Sequence, residues 1–315
     1  MTSLGESSAT DTVIEARDLR CSYGDFDAVK GIDLDVRRGE LFALLGTNGA
    51  GKTTTMETLE GHRAPTSGTV RVLGLDPAAD RKILRPRVGI MLQETGFAGD
   101  LTVRETVRMW AALTTDPTDV GEALARVDLT VRADTRVVQL SGGQKRRLDL
   151  ALATLGDPEV LFLDEPTSGL DPESRARTWE LVRELKARGT TIVLTTHYLE
   201  EAEELADHVA IMNEGRIAVS GTVASVVGGS PARITFALPT RRGPHLADEL
   251  RQVVDPVDVT VSPAGVRLDV EDLQDSLWRL LRWADTNGIR LDRLGATEAS
   301  LGEVFGSISR QEENA

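Results

Sequence analysis

Gly46-Thr47-Asn48-Gly49-Ala50-Gly51-Lys52-Thr53-Thr54 fits the pattern G-x-x-x-x-G-K-[ST] and decides how the rest of the chain is read. Ahead of it runs Leu41-Phe42-Ala43-Leu44-Leu45, a short apolar run of the kind a buried parallel strand shows. Behind it, Thr53 to Leu59 contains neither Pro nor Gly and can begin a helix. Strand, glycine loop and helix in that order form a phosphate cradle. Its glycines let backbone N–H groups close on the phosphates, and the helix N-terminus adds a positive field. Lys52 is placed to reach the β and γ phosphates, and the Thr53 hydroxyl to take a position on Mg²⁺. The loop is therefore read as binding a nucleotide.

Outward from the cradle, Val13 to Arg17 and Ile32 to Val36 read as strands, the second alternating as a half-exposed antiparallel strand does. Tyr23-Gly24 lies on a loop shortly before the cradle; its ring can stack on an adenine or pack beneath its own loop, and both readings stand. Pro65 to Gly68 is a turn followed by a strand over Thr69 to Leu73. Val88 to Leu92 reads as a buried strand ending at Gln93, where parallel sheets bind ligands. From Leu101 to about Val138 the pattern is helical. Thr102 and Glu105 form a capping box, with Val103, Val107, Trp110, Ala111 and Leu113 on one apolar face.

Leu140-Ser141-Gly142-Gly143-Gln144 leads into a helix over Lys145 to Leu155, a second anion-binding helix start that is a common loop when taken alone. Its meaning depends on the next strand. Val160-Leu161-Phe162-Leu163-Asp164-Glu165 is an apolar strand ending in two carboxylates. An Asp there can hold Mg²⁺ through water, and the neighbouring Glu can orient and deprotonate an attacking water. Ser168 to Asp171 is a tight turn, and the strand Thr190 to Thr196 ends at His197, either a surface histidine or a functional one. Leu199, Ala202, Leu205, Ala206 and Val209 supply the inner face of the next helix, leaving Glu200, Glu201, Glu203 and Glu204 as a solvated surface. His62, His208 and His245 have no such placement.

The 315 residues suffice for one large and one small domain. Fifty acidic against 36 basic residues leave a net charge of −14, a surface that repels nucleic acid and anionic lipid. The single cysteine, Cys21, excludes an internal disulfide framework and points to a reducing compartment. No apolar run approaches the roughly 18 residues that span a bilayer, so a membrane role would run through a partner subunit. Residues 1–11 are polar and acidic and read as a disordered tail without a signal-peptide pattern.

Taken together, Tyr23, the Gly46 to Thr54 loop, Gln93, Leu140 to Gln144, Val160 to Glu165, Ser168 to Asp171 and His197 resemble the nucleotide-binding domain of ABC transporters, in order, within residues 12–227. The resemblance implies an α/β P-loop core with a β subdomain and a helical subdomain, pairing head to tail around two ATP molecules. It implies that Tyr23 stacks on adenine and that Gly46, Asn48, Gly49, Ala50, Gly51, Lys52, Thr53 and Thr54 hold the phosphates. Thr53, Gln93 and Asp164 would serve Mg²⁺, Glu165 would be the base, and His197 would touch the γ-phosphate with Lys52 and Gln93 completing the catalytic set. Ser141, Gly142, Gly143 and Gln144 would complete the opposite protomer's site, and Asp171 would couple the two. The family usually has Pro where Thr47 stands, an outward-facing position of the loop.

Residues 228–232 read as a linker, and the pattern over residues 233–315 runs β-α-β-β-α-β, the order of a small α+β ferredoxin-like domain, with a last helix near Ala299 to Ser309. The helices are marked by Leu246, Leu250, Val253, Val254 and by Leu273, Leu277, Leu280, Leu281, and the strands include Val257 to Val261, Val266 to Val270 and Ile289 to Leu294. This tail resembles the extension on ATP-binding subunits of ABC-2-type exporters of the daunorubicin-resistance kind, ending in Thr297 to Phe305. The expectation is an ATP-hydrolysing homodimer at the cytoplasmic face of the membrane, without nucleic acid, driving a separate permease that exports a hydrophobic, drug-like molecule. Alternatives are a lipid or polysaccharide exporter, an importer ATPase, and a soluble ABC ATPase acting on nucleic acid or ribosomes.

Overall fold

The computed structural model describes residues 12–92, 96–229, 231–237, 245–262 and 265–313. The tail 1–11, Gln93, Ser230 of the linker and the Pro263-Ala264 turn lie outside the described residues. Two compact units divide the chain, Met1–Val223 and Ala224–Ala315.

In the first unit, β1 (Thr12–Tyr23), β2 (Phe26–Arg37) and β4 (Ser67–Val72) form an antiparallel sheet in the order β2-β1-β4. Tyr23 closes β1 at a tight turn, so its ring stands at a strand end and not on a long loop. The larger sheet contains β3 (Leu41–Gly46), β5 (Val88–Met91), β6 (Val160–Asp164), β7 (Thr191–Thr196), β8 (His208–Asn213) and β9 (Arg216–Thr222), in the order β5-β6-β7-β3-β8-β9. Only β9 runs antiparallel to its neighbour. Every residue of β3, β6 and β7 is buried, as expected of parallel strands covered on both faces. Alternation divides them: Phe42, Leu44, Phe162 and Val193 pack toward β1 and β2, while Leu41, Leu161, Leu163, Ile192 and Leu194 pack with Leu150, Val182 and Leu205 of helices. The C-terminal ends of β3, β5, β6 and β7 thus open on one edge, where open α/β sheets bind ligands.

The helices of this unit are α1 (Lys52–Leu59), α2 (Arg81–Leu84), α3 (Val103–Ala111), α4 (Val120–Arg126), α5 (Gly142–Ala153), α6 (Pro172–Ala187) and α7 (Leu199–Leu205); α8 (Val223–Gly228), after β9, starts at the unit's last residue and otherwise belongs to the second unit. The stretch expected to be helical to Val138 holds α3, α4 and two single 3₁₀ turns around its own core of Val103, Val107, Leu124, Leu129 and Val137. The Thr102–Glu105 capping box is present. Trp110 and Leu113, expected on the apolar face, are instead exposed, because α3 ends at Ala111 and its inward stripe is Val103, Thr106 and Val107. α5 starts at Gly142, three residues earlier than the pattern predicts. Val209 belongs to β8, not to the preceding helix, which stops at Leu205.

The second unit contains β10 (Ala232–Ala237), α9 (Leu246–Val254), β11 (Asp258–Ser262), β12 (Gly265–Val270), α10 (Leu273–Thr286), β13 (Asp292–Thr297) and α11 (Leu301–Glu313). Its sheet is antiparallel in the order β11-β12-β10-β13. Leu250, Leu280, Ile234 and Leu268 are fully buried in its core. The last strand begins at Asp292, later than the apolar Ile289 suggests, because Ile289 and Leu291 pack into the core ahead of it.

Candidate functional site

The phosphate cradle hangs between β3 and α1. Gly51 caps α1 with φ of 102° and with no side-chain acceptor, so the first N–H groups of the helix are left for a ligand. A Cβ on Gly51 would lie 2.5 Å from the Ala28 carbonyl, and one on Gly46 would lie 2.6 Å from that of Met212. The loop is thus wedged against β2 and β8, and glycine is the residue that fits. Lys52 is buried, and its Nζ donates to the carbonyls of Gly46 at 2.8 Å and Thr47 at 3.1 Å. Burial pulls the Lys52 amine below its ordinary value, against the opposing charges of Glu165 and Asp164.

Across from the loop, β6 delivers Asp164 and β7 delivers Thr195, residues paired in register. The Thr195 hydroxyl donates to Asp164 Oδ1. Burial raises the Asp164 carboxyl above its usual range, a shift that a cation would oppose. Glu165 follows with φ of 46°, a left-handed conformation rare for a residue with a side chain. Its N–H is shared between the Thr195 carbonyl and hydroxyl, each at 3.1 Å. Its carboxylate Oε1 lies 3.2 Å from His197 Nδ1. Glu165, His197, Lys52 and Asp164 therefore converge on the carboxyl edge of the sheet.

Beside them lies a cavity of about 310 Å³ lined by Thr53, Glu57, Glu60, His62, Leu92 and Asp164. A hydroxyl and a buried carboxylate facing one polar cavity are the hard oxygen donors that Mg²⁺ takes, so Thr53 and Asp164 fit such an ion, with waters filling its remaining positions. Gln93, expected to complete this set, lies outside the described residues. Pattern reading passes over Glu60 and His62. Glu60 Oε2 is 3.0 Å from His62 Nδ1, and its carboxyl is pushed up to about 7 by burial and then by the charges of Asp164 and Glu57. A signal for Glu60 exists: Thr53, Glu57 and Glu60 share one helical face at i, i+4 and i+7.

Tyr23 is half exposed; its hydroxyl lies 3.3 Å from Thr54 Oγ1, and the Arg63 guanidinium sits 4.0 Å over one face of its ring. The ring therefore stands beside the cradle with a cation on it. Asn48 and Gly49 are exposed on the loop, and Ala50 is buried against the core.

The Ser141 to Gln144 segment starts α5. Ser141 Oγ accepts the Gln144 N–H at 3.3 Å, and Gln144 Oε1 accepts the Ser141 N–H at 3.0 Å. Gly142 is exposed, while Gly143 is buried against Ser174. Asp171 caps α6, accepting the Ser174 N–H at 3.0 Å and its hydroxyl at 2.7 Å, and these bonds hold its carboxyl below the usual range. A further departure concerns Glu201, expected on a solvated face. It is fully buried, and its Oε1 accepts from Thr167 Oγ1 at 2.8 Å and Trp179 Nε1 at 2.9 Å.

A model of the family described as ABC transporter matches residues 29–168, and one described as the C-terminal domain of ABC transporter domain-containing proteins matches residues 232–300. The chain is 40% identical to the Nod factor export ATP-binding protein I of Paraburkholderia xenovorans, over 79% of this chain and 84% of that one. It is 35% identical to the daunorubicin resistance ATP-binding protein DrrA3 of Streptomyces coeruleorubidus, over 94% of this chain and 95% of that one. Among solved structures, cbiO1 of Clostridium perfringens, part of an ABC transporter complex, superposes with a TM-score of 0.63 at 32% identity, covering 69% of this chain and 90% of that one. The chain belongs to the ATP-binding proteins of ABC transporters, ATPases that couple hydrolysis of ATP to transport.

Proposed function

We propose that this chain is the ATP-hydrolysing subunit of an exporter for a hydrophobic, drug-like molecule, working as a homodimer at the cytoplasmic face beneath a separate permease. The observation that carries the direction is the 35% identity to a daunorubicin resistance ATP-binding protein over 94% of this chain, which takes in the second unit as well as the first. The Nod factor export relative agrees in direction. The β-α-β-β-α-β order of the second unit, with its antiparallel sheet ordered β11-β12-β10-β13, supports a ferredoxin-like accessory domain. We assign it a contact or regulatory role, since its described residues hold no group of His, Cys, Asp and Glu fit to bind a metal ion.

In this reading Lys52 and the N–H groups of the Gly46 to Thr54 loop hold the β and γ phosphates, and Tyr23 stacks on the adenine through the ring face opposite Arg63. Thr53 and Asp164, together with Gln93, would hold Mg²⁺, which when bound would supply positive charge toward the phosphates. Glu165 accepts a proton from the attacking water as its oxygen bonds the γ-phosphorus. The bond from that phosphorus to the bridging oxygen breaks, and ADP and phosphate leave. His197, held against Glu165 at 3.2 Å, faces the γ-phosphate. Ser141, Gly142, Gly143 and Gln144 complete the site of the other protomer, and Asp171 links the two.

The test is purification of the tagged chain from detergent-solubilised membranes of its host, with reconstitution of whatever multi-span protein accompanies it in stoichiometric amount. ATP-driven movement of a fluorescent hydrophobic drug into inside-out vesicles is expected, and Glu165→Gln should abolish it while ATP still binds. Uptake in the opposite direction, or a chain found with ribosomes or nucleic acid and no membrane protein, overturns the exporter reading.

A further inference from the structure

One guanidinium ties the start of α5 to the hydrolytic turn. Arg146 is buried, two residues beyond Gln144 on α5. Its Nη2 donates to the carbonyls of Asp164 at 2.8 Å and Glu165 at 2.6 Å. Its Nε donates to the Pro166 carbonyl at 3.1 Å, and its Nη1 to the Leu92 carbonyl at 2.8 Å, the residue just ahead of Gln93. Planar and always charged, arginine can serve several acceptors at once, which a lysine amine cannot do in the same geometry.

What it grips is a strained segment. Glu165 has φ of 46°, and left-handed backbone at a residue with a Cβ persists only where the surroundings over-determine it. The over-determination is visible on both sides of the residue. Thr195 fixes the Glu165 N–H through its carbonyl and hydroxyl, and Arg146 fixes the Glu165 carbonyl, which also accepts the Ser168 N–H at 3.2 Å. Released from that grip, the turn would relax toward right-handed backbone and swing the carboxylate away from His197.

We propose that Arg146 is the positioning residue of the hydrolytic site: it holds the Asp164-Glu165-Pro166 turn so that the Glu165 carboxylate faces the attacking water. The proposal rests on the reading of Glu165 as the base. It also makes α5 the carrier of two ends, the Ser141 to Gln144 start that serves one nucleotide and the guanidinium that sets the base for another.

The purified full chain tests it by steady-state ATP turnover, with ATP affinity measured separately in EDTA by displacement of a trinitrophenyl-ATP probe. Arg146→Lys is expected to lower kcat about 10- to 100-fold, the cost of a misplacement on the order of 1 Å, with ATP affinity and KM little changed. Arg146→Met, which removes the buried charge with its donors, is the second arm should the lysine variant fold poorly. In a Glu165→Gln background, adding either Arg146 change is expected to leave the residual turnover unaltered, because the base it would position is gone. Near-normal kcat in a folded Arg146 variant overturns the proposal, as does a parallel fall in affinity, or losses that multiply in the double variant. Near-normal turnover in Glu165→Gln alone overturns the base reading instead.

Discussion

Burial sets the chemistry of Glu60, a carboxyl pushed up to about 7 from its usual 4.5, with the charges of Asp164 and Glu57 adding to the effect. The folded chain therefore holds this proton more tightly than the unfolded chain. The stabilisation is fully present below the unfolded carboxyl range and is lost as pH rises through about 7. Replacing the acid by an amide removes that loss. Glu60→Gln should match the parent in urea unfolding at pH 4.5 and exceed it at pH 8 by on the order of 3 kcal/mol. A constant difference across that range would mean that Glu60 is ionised in the folded chain. The same cavity is lined by Thr53 and Asp164, so the polarity of the wall beside the proposed Mg²⁺ position depends on a group that pattern reading passes over.

Elements explain which residues are legible in the sequence. The cradle, the paired carboxylates and the start of α5 are readable because each sits at the end of a strand or the beginning of a helix, where periodicity breaks and residue type is dictated by backbone geometry. The exposed side chains of α3 are not, because an apolar face predicted by spacing alone has no way to end at Ala111. Glu201 escapes for a related reason. In a run of four glutamates on the seven-residue α7, a small error of helical phase exchanges inside for outside, and only the partners on α6 and the Thr167 turn reveal which glutamate is buried. Removing it strands two donors. Glu201→Ala should cost about 2–4 kcal/mol in denaturant unfolding, from the unpaired Thr167 hydroxyl and Trp179 indole plus the cavity left behind. Glu201→Gln keeps an acceptor for both and should retain most of that stability; equal losses in the two variants would show that charge, and not the acceptor, is what α7 needs.

At the scale of the whole molecule, a chain of net charge −14 places Arg81, Lys82 and Arg85 along one groove of about 640 Å³. The groove's other lining includes Leu84, Met91, Leu92, Trp110 and Leu113, and of these Leu92, Trp110 and Leu113 are exposed. Glu60 and Asp149 line the same groove, so it carries both charges around an apolar floor, and we propose it as the surface a partner covers, since contiguous exposed apolar area is otherwise a liability. Its wall reaches Leu92 at the end of β5, and Leu92 also lines the cavity of Thr53 and Asp164, so a partner seated there would abut the proposed nucleotide site. Among the described residues no helix is long and apolar enough to cross a membrane, and in the proposed exporter this groove would be where the permease docks. Trp110→Asp combined with Leu113→Asp should leave ATP turnover of the isolated chain within about 2-fold of the parent, as exposed substitutions away from the chemistry do. The same chain should no longer sediment with membranes carrying the permease, and ATP-driven drug movement should be lost. If the double variant stays membrane-bound and still drives transport, the permease docks elsewhere, and the exposed side chains around the end of α3 serve another partner.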